Sequence, residues 1–282
     1  MLYVLAGGAL WGCISLFVRI LNEAGLDTME IVAVRSVFAL VFLGLFLLLK
    51  TKSLPAIRVK DAWMFIGTGI FSLTFFNWAY FTVIQHSEAS IAVILLYTSP
   101  IWILLFSYFL FHEPITKEKS AALGLTFLGA CFMSGIFYSQ PAITMPLFLI
   151  GISSGIGYGL YSIFSRYALA RYDSLTITFY TFLFSALSLL PVISLPKTAA
   201  LLQSPAALAA AAGIALFCTV LPYLLYTKGL SCLDTGKAAI LATVEPIVAS
   251  LIGFGIYGES LTLSKGAGIV CILAGIWFMN RR

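Results

Sequence analysis

Charge is what this sequence has least of. Only 10% of its 282 residues are Asp, Glu, Lys or Arg, whereas 61% are hydrophobic and the mean hydropathy is +1.04. Soluble domains carry roughly 25% charged residues, so the composition excludes a soluble globular fold. Histidine is limited to His86 and His112, and the five cysteines (Cys13, Cys131, Cys218, Cys232, Cys271) form no CxxC pair. That pattern speaks against a metal centre or a disulfide framework, and buried thiols are the simpler reading. No H-E-x-x-H or Walker loop occurs, which leaves no motif for ATP hydrolysis. No cofactor is expected.

Apolar runs of about 20 residues, the length a helix needs to cross a bilayer, recur from end to end. Ten spans are predicted, near 2–21, 28–49, 61–85, 88–111, 117–137, 146–169, 174–195, 206–229, 234–257 and 262–280. The first lacks a basic leader and an A-x-A-like cleavage site, so it is expected to be retained. Connectors are short and carry breakers and charges, among them Lys50–Lys60 with Pro55, Glu113-Pro114, Gln140-Pro141, Pro196-Lys197 and Gln203-Ser204-Pro205.

The net charge of +5 does not point to nucleic acid, because its distribution follows the membrane. With a cytoplasmic N-terminus, twelve basic residues fall inside (Lys50, Lys52, Arg58, Lys60, Lys117, Lys119, Arg166, Arg171, Lys228, Lys237, Arg281, Arg282) and three outside (Arg19, Lys197, Lys265). This is the positive-inside bias, and it predicts a multi-pass protein of the inner (cytoplasmic) membrane with both termini in the cytoplasm.

The chain also repeats itself. A shift of 146 residues lays Tyr80 on Tyr226, Pro100 on Pro246, Glu113 on Glu259, Thr116 on Thr262, Lys119 on Lys265 and Gly129 on Gly275. A shift of 147 lays Gly8, Trp11, Gly12, Ser15 and Arg19 on Gly155, Tyr158, Gly159, Ser162 and Arg166. Two five-span repeats are expected, residues 1–139 and 140–282. An odd number of spans sets the second copy upside down in the bilayer, an architecture tied to transport. The expected fold is therefore all-α and integral to the membrane, with ten helices in two inverted halves around a central cavity. Glycines at Gly8/Gly12 and Gly151/Gly155/Gly159 supply small-residue faces for close helix packing, fixed or sliding.

The G-x-L-W-G of the first span, A-x-x-A-x-x-L-L-Y-T-S-P-(x)12-E-P-I-T at 89–116 and A-A-I-L-A-T-V-E-P-(x)12-E-S-L-T at 238–262 resemble the EamA-type transporters of the drug/metabolite transporter superfamily. The likeness covers essentially the whole chain. It implies ten helices, cytoplasmic termini and a central cavity, and similar bacterial proteins include exporters of aromatic and other amino acids. Its motifs bear on fold far more than on substrate.

Glu245 is the sharpest single residue, since about nine residues of helix put it ~14 Å deep, near the midplane. A carboxyl there exchanges protons, binds an ammonium, or ties the broken helix to a neighbour. Its repeat counterpart is Ser99. Pro100 and Pro246 remove a backbone donor and are the expected hinges, freeing the carbonyls of Leu96 and Ala242 toward the cavity. Arg35 either snorkels, pairs with Glu30 or Glu245, or takes a substrate carboxylate. Trp11, Trp78, Tyr80, Tyr97, Trp102, Tyr158, Tyr161, Tyr223 and Tyr226, with Asn77, are the cavity-prone aromatic and polar positions, each with ordinary packing as its alternative.

The favoured reading is a secondary transporter of small metabolites, amino acids first and aromatic ones among them, exporting by alternating access. The solute, the bilayer and protons are its expected partners, as a monomer or weak dimer. A passive channel is the alternative. An intramembrane serine hydrolase is suggested only by Gly151-Ile-Ser153-Ser-Gly155, which matches G-x-S-x-G. The two histidines fall near ends of earlier spans on opposite sides, far from Ser153, so no enzyme is expected.

Overall fold

The computed structural model describes residues 1–138 and 143–280. The Gln140-Pro141 connector and the basic residues Arg281 and Arg282 lie outside the described residues. Those residues form sixteen α-helices and no strand. The first eight are α1 (Leu2–Gly12), α2 (Ile14–Glu23), α3 (Thr28–Thr51), α4 (Ala62–Ile66), α5 (Phe75–His86), α6 (Ala89–Leu96), α7 (Ser99–Phe111) and α8 (Lys117–Ser134). The others are α9 (Met145–Ala168), α10 (Ser174–Leu189), α11 (Leu195–Leu201), α12 (Pro205–Ala215), α13 (Leu221–Leu230), α14 (Thr235–Ala242), α15 (Glu245–Tyr257) and α16 (Leu263–Asn280).

Joined end to end, these helices give eight apolar stretches long enough to cross a membrane: Leu2–Glu23, Thr28–Lys50, Val59–His86, Ala89–Phe111, Met145–Ala168, Pro205–Leu230, Thr235–Tyr257 and Leu263–Asn280. The chain is thus a multi-pass membrane protein, although the count of ten spans exceeds these eight. Two expected spans fall short for identifiable reasons. α8 is 18 residues but opens on Lys117, Glu118 and Lys119. α10 is 16 residues, and the chain turns after Leu189 rather than running to 195. α8 nevertheless packs along α16 more extensively than any other two elements pack, so it lies within the bundle.

The helix ends repeat with the sequence. At the 146-residue shift, α6, α7 and α8 map onto α14, α15 and α16 with identical first and last positions, and Thr28 of α3 maps onto Ser174 of α10. Asp27 and Asp173 cap those last two helices by accepting from the Glu30 and Thr176 amides, which supplies partners for donors left open in a first turn. Each span is interrupted by a two-residue turn just before its proline, between α6 and α7 at Tyr97–Thr98 and between α14 and α15 at Thr243–Val244. π-helical stretches, Gly67–Thr74 and Leu216–Val220, run into α5 and α13 at equivalent positions, and such insertions often mark functional regions.

Glycine places the breaks. A methyl carbon built on Gly8 would lie 2.8 Å from the Ala242 carbonyl oxygen, and one on Gly12 would lie 2.6 Å from that of Glu245. In the other half Gly155 stands equally close, 2.6 Å, to the Leu95 carbonyl oxygen, with the Leu96 carbonyl at 3.3 Å. The carbonyls expected to face the cavity therefore abut a glycine helix instead. This close approach carries the packing of broken spans where no hydrophobic effect drives association.

Candidate functional site

Between the two breaks lies a cavity of about 730 Å³, within the range of small-molecule sites. Its wall includes Trp11, Arg35, Asn77, Tyr80, Tyr97, Tyr158, Tyr223, Glu245 and Pro246. It runs out past Thr28, Ala89, Ser90, Ser134, Glu259 and Lys265, at the start of α3, α6 and α16 and the end of α8 and α15. Below it is a much smaller void of about 30 Å³, room for about one water, bounded by Ser99, Pro100, Tyr161, Ser162, Tyr226 and Thr243. The deep end is filled by aromatic rings: Trp11 meets Tyr223 edge-on at 5.2 Å, and Tyr161 meets Tyr223 at 4.9 Å. Two hydroxyls there are satisfied, Tyr161 Oη lying 2.6 Å from Thr227 Oγ1 and Tyr226 Oη 2.7 Å from Ser162 Oγ.

Glu245 opens α15, and Tyr158 Oη donates to its Oε2 at 3.4 Å. Arg35 is only 6% exposed, so it does not snorkel. Nor does it pair with Glu30, whose carboxylate accepts from the Asp27 amide, Lys197 Nζ and Thr198 Oγ1. It makes no ion pair with Glu245 either, and its buried Nε has no hydrogen-bond partner among the described residues.

Two expected wall residues stand elsewhere. Trp78 is 48% exposed on the perimeter and stacks on Phe75. Trp102 donates its Nε1–H to Thr98 Oγ1 at 3.1 Å, tying down the start of α7 outside both voids. Phe76, Ser162 and Thr243 line the site without having been singled out. Helical spacing could have found the first two, since Phe76 is four residues before Tyr80 and Ser162 four after Tyr158. Trp78→Leu is expected to leave solute flux within about twofold of the parent in proteoliposomes, the scale of a surface substitution. Ser153 donates to the Ile150 carbonyl oxygen at 2.6 Å, inside its own helix.

The two ends of the bundle differ. On the face away from the cavity mouth, Glu113 accepts from the Thr235 amide at 2.9 Å, Thr235 Oγ1 at 2.8 Å and the Gly236 amide at 3.3 Å, closing the end of α7 onto the start of α14. A carboxylate at a helix N-terminus satisfies open donors and complements the dipole. Lys119 Nζ pairs with Asp234 at 3.1 Å, and Arg166 donates to the Leu230 carbonyl at 2.9 Å. Arg171 and Tyr172 both hold Asp61 on this face.

At the mouth the repeat counterparts are parted. Glu259 is 54% exposed and pairs with its own neighbour Lys265 at 2.9 Å. Arg19 pairs with Glu23 and lies 4.7 Å over the Tyr257 ring. The start of α6 has no side-chain cap.

Comparison with known proteins agrees with this architecture. A solved crystal structure superposes with a TM-score of 0.79 over 99% of this chain and 97% of the other at 15% identity, a likeness of fold. An uncharacterized transporter of Archaeoglobus fulgidus is 27% identical over 97% of this chain and 93% of its own length. The uncharacterized inner membrane transporter YicL of Salmonella typhimurium is 24% identical over 98% and 93%. The sequence model of the EamA-like transporter family matches twice, at residues 1–135 and 145–281. By that match to nearly every residue, the chain belongs to the EamA-like transporter family and is a membrane transporter.

Proposed function

We propose that this transporter works by alternating access between two inverted halves, residues 1–139 and 140–282, ten spans in all. The observation that carries the reading is the inequality of the two ends. Glu113 docks α7 on α14 at one end, while its counterpart Glu259 faces an uncapped α6 across the cavity mouth at the other. The partners on the two sides are chemically alike: Lys119 and Lys265, Asp234 and Glu88, Arg166 and Arg19. Rocking the halves would exchange one network for the other, giving two states of comparable free energy, as a carrier requires. The positive-inside bias supports termini and a closed face on the cytoplasmic side, and on that reading the described state opens outward. A relative named for the inner membrane agrees with that membrane.

The solute is read as a small metabolite, with amino acids, aromatic ones among them, as the leading class and export as the direction. Aromatic walls with few polar tips suit such solutes. Glu245 is the candidate for a proton or a substrate ammonium, sharing its cavity with Arg35, Tyr80, Tyr97, Tyr158 and Tyr223. Counterflow in proteoliposomes over a panel of amino acids, sugars and organic cations tests the class. Saturation with exchange marks a carrier, and non-saturating flux marks a channel. Glu245→Gln cannot ionise, so it is expected to lose the pH response of transport. Unchanged flux and pH response in that variant would leave Glu245 a structural tie between α15 and Tyr158.

A further inference from the structure

Arg35 is a buried cation with no counter-ion in contact, and the cost of such a group in a membrane interior requires an account. Its position rules out the ordinary ones. Snorkelling fails because it is 6% exposed. Glu30, five residues away on α3, is occupied by Lys197, Thr198 and the Asp27 amide. The charge instead borders the 730 Å³ cavity, where the other ionisable wall groups at that depth are Glu245 and tyrosines. The remaining charged pair on the wall, Glu259 and Lys265, is mutually neutralised at the mouth.

We propose that Arg35 is the anion anchor of this cavity, and that the transported solute carries a carboxylate which the guanidinium holds by two parallel hydrogen bonds. The inference rests on the cavity being the solute path. A planar fork matches a carboxylate in a way an ammonium does not. Glu245 on the same wall selects a carboxylate over a phosphate ester, because a dianion would meet net repulsion, whereas a monoanion with an amine balances both residues. Asn77 is a weaker claimant for the anion: its neutral Nδ2 already donates one of its two N–H groups to the Leu73 carbonyl at 2.6 Å.

The test uses full-length protein in detergent, with melting temperature as readout and matched probes: amino acids, their α-amides, the decarboxylated amines, the deaminated acids and inorganic phosphate. Acids, with or without the amine, are expected to bind at least tenfold more tightly than amides and amines, and phosphate weakly. Arg35→Gln should erase that difference and Arg35→Lys restore part of it. The anchor is overturned if amides or amines bind as well as acids, if no carboxylate raises the melting temperature, or if Arg35→Gln keeps the discrimination. Should Arg35→Gln not fold, the acid-against-amide comparison on the unaltered protein decides alone. Counterflow with the same probes separates the two readings. Transport of a solute without a carboxylate discards the anchor and keeps the carrier, whereas carboxylate binding without any transport discards the carrier and keeps the anchor.

Discussion

Glu113→Ala should open the closed face. The carboxylate makes three hydrogen bonds to the start of α14 and is 7% exposed. Hydrogen bonds to a charged group contribute about 1.5–3 kcal/mol each, and tenfold in an equilibrium corresponds to about 1.4 kcal/mol. Losing even one net bond should therefore raise the population open on that face by about tenfold or more. A cysteine at Ala239, buried beside the small void, should then be alkylated faster from the Glu113 side by that factor, and net flux should fall because one state has lost its latch. The counterpart change Glu259→Ala should not raise Ala239→Cys reactivity, since in the described state Glu259 forms an ion pair with its neighbour Lys265 and no latch across the mouth. Equal alkylation rates in Glu113→Ala and its parent would remove the latch from the account.

Adding a single methyl to Gly12 or Gly155 should be as damaging as removing the latch. Each would press on a backbone carbonyl at 2.6 Å, which cannot rotate away as a flexible side chain can. Overpacking of this kind costs about 1–3 kcal/mol, and here the strain falls at the two helix breaks. Gly12→Ala and Gly155→Ala are expected to lower the melting temperature and cut counterflow at least tenfold. Gly124→Ala and Gly266→Ala meet nothing within 4 Å and should match the parent in both. If all four behave alike, the glycine faces are not the seams of the motion.

Much of this was legible in the sequence because membrane folds are written in long apolar runs and because the chain states its pattern twice. The shift that aligned Pro100 with Pro246 also aligns the ends of α6 to α8 with those of α14 to α16. Less was legible where neighbours rather than sequence decide. A proline specifies a lost donor, not how far the helix departs from regular, and here a glycine stands opposite each two-residue turn. Trp78 was misplaced although helix geometry argued against it: Asn77 and Tyr80 share a face with Phe76 and Phe81, and Trp78 points away from it. The π-helical stretches leave no mark in local composition. Arg35 needed the structure, since the proposed carboxylate contact rests on the occupied state of Glu30 and on the cavity beside α3.

The central claim is that the two faces open in turn. Spin-label pairs at repeat-equivalent, exposed positions measure it directly: Ile115 with Cys232 across the closed face, and His86 with Leu261 across the mouth, in a background without the other cysteines. In lipid vesicles with transported solute, the account predicts a population in which the His86–Leu261 distance shortens as the Ile115–Cys232 distance lengthens. A mouth that never narrows while flux proceeds would contradict it.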